Sequence, residues 1–157
     1  MKISTKGRYA LRALVDLAVT SKRTNSHVPL KDIAKRQGMS DKYLENLFSI
    51  LKNSGIIGSK RGAQGGYYLM QKPGKITALE VIEAIEGPVA IVECCVSKRA
   101  CNKRQQCKTI TLWKKINSRV LEELQKTKLR DLMWYFCIIL IIGTFTWLRS
   151  RKNLVCN

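Results

Sequence analysis

The sequence is poor in acid, in histidine and in proline. Eleven Asp and Glu stand against 29 Lys and Arg, a formal net charge of +18, with one histidine and three prolines in 157 residues. Such a field attracts phosphate backbones or anionic lipids. With one histidine, no carboxylate pair in a recognisable motif and no Gly-Lys-Ser/Thr nucleotide loop, the chain is not expected to be an enzyme. Aromatics are scarce at 7%, but hydrophobic residues reach 45%, enough for a packed core. That excludes a disordered acidic or mucin-like chain. Sustained internal repeats are also lacking. The basic start, Met1 to Ala10, does not read as a secretory signal. The apolar run behind it contains Arg12 and Asp16, and no small-residue cleavage site closes it. A cytoplasmic protein is expected, whose six cysteines serve as metal ligands or thiols rather than disulfides.

What is present is helical periodicity. Leu11, Leu14, Val15, Ala18 and Val19 predict a helix over 8–20, with Arg8, Arg12 and Asp16 on its polar side. A polar connector ending in Pro29 leads to a short helix over 30–37, with Leu30, Ile33 and Ala34 inward. Gly38 ends it, and Ser40 caps a third helix over 41–53 with Tyr43, Leu44, Leu47, Phe48 and Leu51 as its apolar face. Two helices joined by a tight Gly-Met-Ser turn form the helix-turn-helix pattern, although spacing alone leaves an ordinary helical hairpin equally open. The following segment favours DNA binding. A strand at 56–61, a glycine-rich turn at 62–66 and a return strand at 67–70 form a hairpin with Lys60 and Arg61 at its tip. A helix-turn-helix followed by such a hairpin is a winged helix. A helix over 76–86 follows, with Thr77 as cap and Leu79, Ile82 and Ile85 buried. A long helix over about 108–128 carries a stripe of Ile110, Trp113, Ile116, Val120 and Leu124. The stripe suggests a dimer interface, with intrachain packing as the alternative.

Charge locates the contact with DNA. Residues 1–79 carry 15 cations and 4 anions. Lys42, Tyr43, Glu45 and Asn46 lie on the first turns of the third helix, the part that reaches base edges in a major groove. Arg61, with Lys60 beside it, is placed for a narrow minor groove. Ser4, Thr5, Lys6 and Tyr9 are candidates for holding phosphates.

Cys95, Cys101 and Cys107 are spaced Cys-x5-Cys-x5-Cys, with Cys94 beside the first. Lys98, Arg99, Lys103 and Arg104 lie between them, and cations favour thiolate. The spacing matches neither zinc knuckles nor a plant-type ferredoxin. A metal or cluster site, a thiol redox switch and no chemistry at all stay open on spacing alone.

Several segments together carry a resemblance: Ile3 to Ala10, Ile33 to Ser40, Tyr43-Leu44-Glu45, Arg61 to Tyr67, and the three spaced cysteines followed by Leu112-Trp113. Over Met1 to about Leu132 the chain resembles the IscR/NsrR/CymR family of winged helix-turn-helix regulators. The resemblance implies a homodimer reading a palindromic operator in double-stranded DNA. It also implies a [2Fe–2S] cluster on Cys95, Cys101 and Cys107 whose state changes DNA affinity. The fourth ligand is missing from both places the family uses. Ile110 stands where one branch has a histidine, and Arg8 where another has an acid. Cys94, Glu93 or an exogenous thiol remain as substitutes, while the single histidine, His27, reads as a loop residue.

The tail departs from the family. From Leu132 to Leu148 the chain has 17 residues without charge, about 26 Å as a helix, against a hydrocarbon core of about 30 Å. A single pass would send Arg149, Arg151 and Lys152 outward, against the positive-inside tendency.

The expectation is a mainly α protein: a winged helix-turn-helix with a small β-hairpin wing and a long C-proximal dimerisation helix. Residues 1–90 form the DNA-binding domain, 91–108 a cysteine-rich sensor loop, 109–132 the dimerisation helix and 133–157 an atypical hydrophobic and basic tail. The expected function is transcription regulation, sensing iron–sulfur or redox status. The alternatives are a cluster-free regulator controlled by thiol oxidation or a partner protein, and a membrane-tethered interaction protein.

Overall fold

Ser4 starts the first helix. In the computed structural model, which describes residues 4–62, 65–97, 100–102 and 106–134, the Ser4 hydroxyl accepts from the backbone N–H groups of Lys6 and Gly7. It thereby caps α1 (Thr5–Thr24), which ends at Asn25 in a left-handed conformation. The helix is longer at both ends than its apolar period predicts. Seven consecutive residues, Ala13 to Val19, are buried, because α2, α3, α4 and the hairpin pack around this helix. No polar side remains along that stretch. Asp16, expected on such a side, is 1% exposed.

The helix-turn-helix follows as α2 (Leu30–Gln37) and α3 (Asp41–Asn53). Gly38 has φ +65, and its N–H closes on the carbonyls of Ala34 and Lys35. The Ser40 hydroxyl then caps α3 at the Tyr43 N–H, 3.3 Å away. The inner face of α3 is Leu44, Leu47, Phe48 and Leu51, all buried.

The wing is β1 (Ile57–Lys60) paired antiparallel with β2 (Gly66–Leu69), in register from Ile57 opposite Leu69 to Lys60 opposite Gly66. Val28, just before α2, adds a two-bond bridge to Tyr67, with N···O distances of 3.0 and 2.9 Å. The approach is so close that a Cβ on Gly66, whose φ is +152, would lie 2.6 Å from the Val28 carbonyl carbon. Only glycine fits there.

Thr77 and Glu80 form a capping box on α4 (Ala78–Glu86). Its buried residues are Ala78, Val81 and Ile82, not the expected set of Leu79, Ile82 and Ile85. The helix packs on both α1 and α5, which leaves Leu79 and Ile85 half-buried. A 3-10 turn at Glu93–Cys95 precedes α5 (Ile110–Lys126). α5 stops two residues short of expectation. Thr127 and Lys128 leave it to pair with the segment before α4: the Ala78 N–H donates to the Thr127 carbonyl and the Leu129 N–H to that of Ile76, both at 2.9 Å. Residues 129–134 are helical, and Leu129 is buried in the same core as Phe48, Leu14 and Ile33. The apolar run beyond Trp134, with the membrane tether considered for it, lies outside the described residues. Among the described residues no helix is long and apolar enough to cross a membrane.

Candidate nucleic-acid interface and cysteine segment

The buried face of α3 fixes which side chains point away from the core. Lys42, Glu45 and Asn46 are exposed, and Tyr43 is half-buried at the helix start. Tyr43 meets Tyr9 edge to face, ring centroids 6.0 Å apart, and the Arg12 guanidinium lies 5.4 Å from the Tyr9 ring centroid. The start of α1 therefore sits beside the start of α3. Two groups of candidates that lie more than thirty positions apart in the chain, Thr5, Lys6 and Tyr9 with Lys42 and Tyr43, are brought to one side of the head.

The wing is tied to the same helix. Phe48 meets Tyr67 at 4.9 Å between centroids, and Lys52 Nζ donates to Ser59 Oγ at 2.8 Å. Burial raises the Tyr67 phenol above its ordinary pKa, and the nearby Glu45 carboxylate adds to the rise. Lys60 and Arg61 are exposed at the end of β1. Residues 63 and 64 of the turn lie outside the described residues.

Ser4 differs from the other phosphate candidates. Its hydroxyl is engaged in capping, and its N–H donates to the Glu86 carboxylate. Thr5 Oγ1 accepts from Arg8 at 3.4 Å. Arg36 is exposed on α2, and its guanidinium reaches back to the buried Asp16 as a brace. Its Nη2 lies 2.6 Å from Asp16 Oδ1, and its Nε lies 3.0 and 3.1 Å from the two carboxylate oxygens. Gln37 Nε2 donates to Asp16 Oδ2 at 2.7 Å and Thr20 Oγ1 to Oδ1 at 3.2 Å. The hydrogen bond to Asp16 raises the Arg36 pKa further. Sequence reasoning missed this brace. Its signal was an acid inside a wholly apolar stretch, answered by Arg-Gln twenty residues on.

On the cysteine segment, Cys95 is half-buried and lines a groove of about 400 Å3 with Leu79, Lys114, Asn117 and Leu121. Asn117, the buried residue of α5, accepts the Ile91 N–H at 2.9 Å and so anchors the start of the segment. Cys101 is exposed. Cys107 lies 3.3 Å from Thr109 Oγ1, which also accepts from Trp113 Nε1 at 3.2 Å. With its oxygen held by the indole, the Thr109 hydroxyl is free to donate to sulfur. That hydrogen bond lowers the Cys107 pKa.

The donor chemistry suits a cluster, but the positions do not gather. Among the described residues no three His, Cys, Asp or Glu side chains converge on a metal position. Lys98, Arg99, Lys103 and Arg104 lie outside the described residues.

Residues 3–134 match the Rrf2 family, described as an iron-dependent transcriptional regulator. The chain belongs to the Rrf2 family. The HTH-type transcriptional regulator IscR of Aliivibrio salmonicida is 41% identical over 133 residues, spanning 85% of this chain and 77% of the relative. The structure of CymR, the global cysteine regulator of B. subtilis, superposes with a TM-score of 0.71 at 40% identity, covering 86% of this chain and 98% of CymR. T. potens IscR superposes at 0.66 and 30% identity, covering 98% and 94%. The architecture of this Rrf2 protein is thus the mainly helical winged helix of its relatives, and it is a transcriptional regulator of the IscR type, not an enzyme.

Proposed function

We propose that this Rrf2 protein acts in the cytoplasm as a homodimer on a palindromic operator. In this reading α3 enters the major groove with Lys42, Tyr43, Glu45 and Asn46. The wing brings Lys60 and Arg61 to the adjacent minor groove, and Ser4, Thr5, Lys6 and Tyr9 hold the sugar–phosphate chain between them. The observation that carries it is the common placement of these groups, locked by the Tyr9–Tyr43 and Phe48–Tyr67 contacts. Pairing through α5 is supported by the expected stripe. None of Ile110, Trp113, Ile116, Val120 and Leu124 is buried within one chain, and Ile116 is 37% exposed. Residues 1–90 serve as the DNA-binding unit, and residues 91–108 as the sensor.

The sensor holds a [2Fe–2S] cluster on Cys95, Cys101 and Cys107, supported by three thiols on one short segment and by the family's description as iron-dependent. A cluster would supply an oxidisable, removable group. In the described conformation the three positions are separate, so the segment must rearrange to hold it. That separation favours a second reading, a cluster-free regulator. There hydrogen peroxide transfers one oxygen to the Cys107 thiolate: the O–O bond breaks, an S–O bond forms, and with one proton from solvent the products are a sulfenic acid and water.

Iron and acid-labile sulfide analysis of anaerobically purified protein separates the two. The first reading predicts both elements and a visible absorption that Cys101→Ala abolishes. Metal-free protein whose DNA affinity changes with peroxide belongs to the second. Metal-free protein whose DNA affinity does not change with peroxide contradicts the sensor role altogether.

A further inference from the structure

One carboxylate sits among the groups assigned to phosphate. The Ser4 N–H donates to both oxygens of Glu86, at 2.9 and 3.2 Å. The first turn of α1 holds no acid of its own, so Glu86 supplies, from 82 residues further along the chain, the anion that a helix start attracts. Glu86 is the last residue of α4. Gly87, at φ +81, turns the chain there, and Pro88 leads it toward the cysteine segment.

We propose that Glu86 is an internal competitor for DNA phosphate: its carboxylate occupies the start of α1 in the free head and must leave Ser4 before the sugar–phosphate chain can take that position. The inference rests on the reading of Ser4, Thr5 and Lys6 as phosphate contacts. A carboxylate and a phosphodiester are both anionic oxygen acceptors. They seek the same N–H and the same positive helix end, and one N–H cannot serve both at full strength. The Tyr9–Tyr43 contact keeps this helix start beside the reading helix, so the competition takes place where the DNA backbone would pass. By linkage, a change in the cysteine segment that draws Glu86 away raises DNA affinity, and bound DNA favours the same change.

The test is the salt dependence of binding to a labelled duplex of unrelated sequence, long enough for both heads, measured by anisotropy on the full chain. Glu86→Gln keeps the shape and an acceptor oxygen but removes the charge. Glu83→Gln removes an equal charge one turn earlier on α4 and serves as control. Glu86→Gln is expected to bind about two- to fivefold more tightly per head, with a log–log salt slope steeper by up to about 0.9 per head. Glu83→Gln is expected to match the wild type. Equal affinity and slope for Glu86→Gln and wild type overturn the competition and leave the regulator reading intact. Equal tightening by both variants also overturns it, since bulk charge then explains the gain. Wild-type protein without affinity for any duplex overturns the regulator reading, and the competition falls with it. Thermal melts of both variants establish that each is folded.

Discussion

A buried carboxylate must be met by donors, and Asp16 is met by the Nε and Nη2 of Arg36, by Gln37 and by Thr20. The network joins the middle of α1 to the end of α2, one residue before the turn that launches α3. Asp16→Ala would leave a guanidinium and an amide without their acceptor. Arg36 is 42% exposed, so water offsets part of the loss, and the expected cost is roughly 2–3 kcal/mol in urea unfolding. A loss within experimental error would show that the brace is not structural. At Cys107 the expectation concerns pH. The Thr109 hydroxyl stabilises the thiolate, so the native pKa lies below its unfolded value. The stability this contributes is fully present above the unfolded pKa and is lost as pH falls through the native one. Thr109→Val should move the pH midpoint for alkylation of Cys107 by iodoacetamide upward and slow the reaction at pH 7. An unmoved midpoint would remove Thr109 from the account.

At the scale of elements, α3 and the wing should fail differently. Asn46→Ala is expected to lose about 1–3 kcal/mol of discrimination at one operator position while keeping the salt slope. Arg61→Ala should weaken binding across sequences and lower the slope by about 0.9 per head. Competition titrations at several salt concentrations separate the two, and identical behaviour would contradict the assigned roles. The elements themselves were legible where local chemistry decides them. Gly38 and Ser40 mark the turn, Thr77 the start of α4, and the glycines from Gly62 to Gly66 the hairpin. What could not be read depends on distant partners. Nothing at Thr127 or Lys128 announces the end of α5, because no glycine or proline stands there. The helix stops because residues 76–78 offer a strand-like partner. Asp16 was misplaced for the same reason: its amphipathic context held only until other elements closed over it. The residue type of Ser4 suggests a phosphate contact, while its capping bonds and its tie to Glu86 exist only in the folded chain. The cysteine triplet was legible by spacing, but spacing does not bring three sulfurs together.

At the scale of the whole molecule, α5 presents an apolar surface that the other described residues do not cover. Leu112 is 52% and Ile116 37% exposed, and such surface marks an interaction site. Ile116→Asp should convert a dimer to a monomer in sedimentation equilibrium while leaving the helical circular dichroism in place. It should also cost most of the DNA affinity, because two weak heads no longer act together. The central claim, that paired basic heads read a sequence, is met most directly by selecting binders for the full chain from a library of random duplexes. The account predicts enrichment of a palindrome whose half-sites lie about one helical turn apart, bound by two chains per duplex. A pool that stays random after repeated selection, or one chain per duplex, would contradict it.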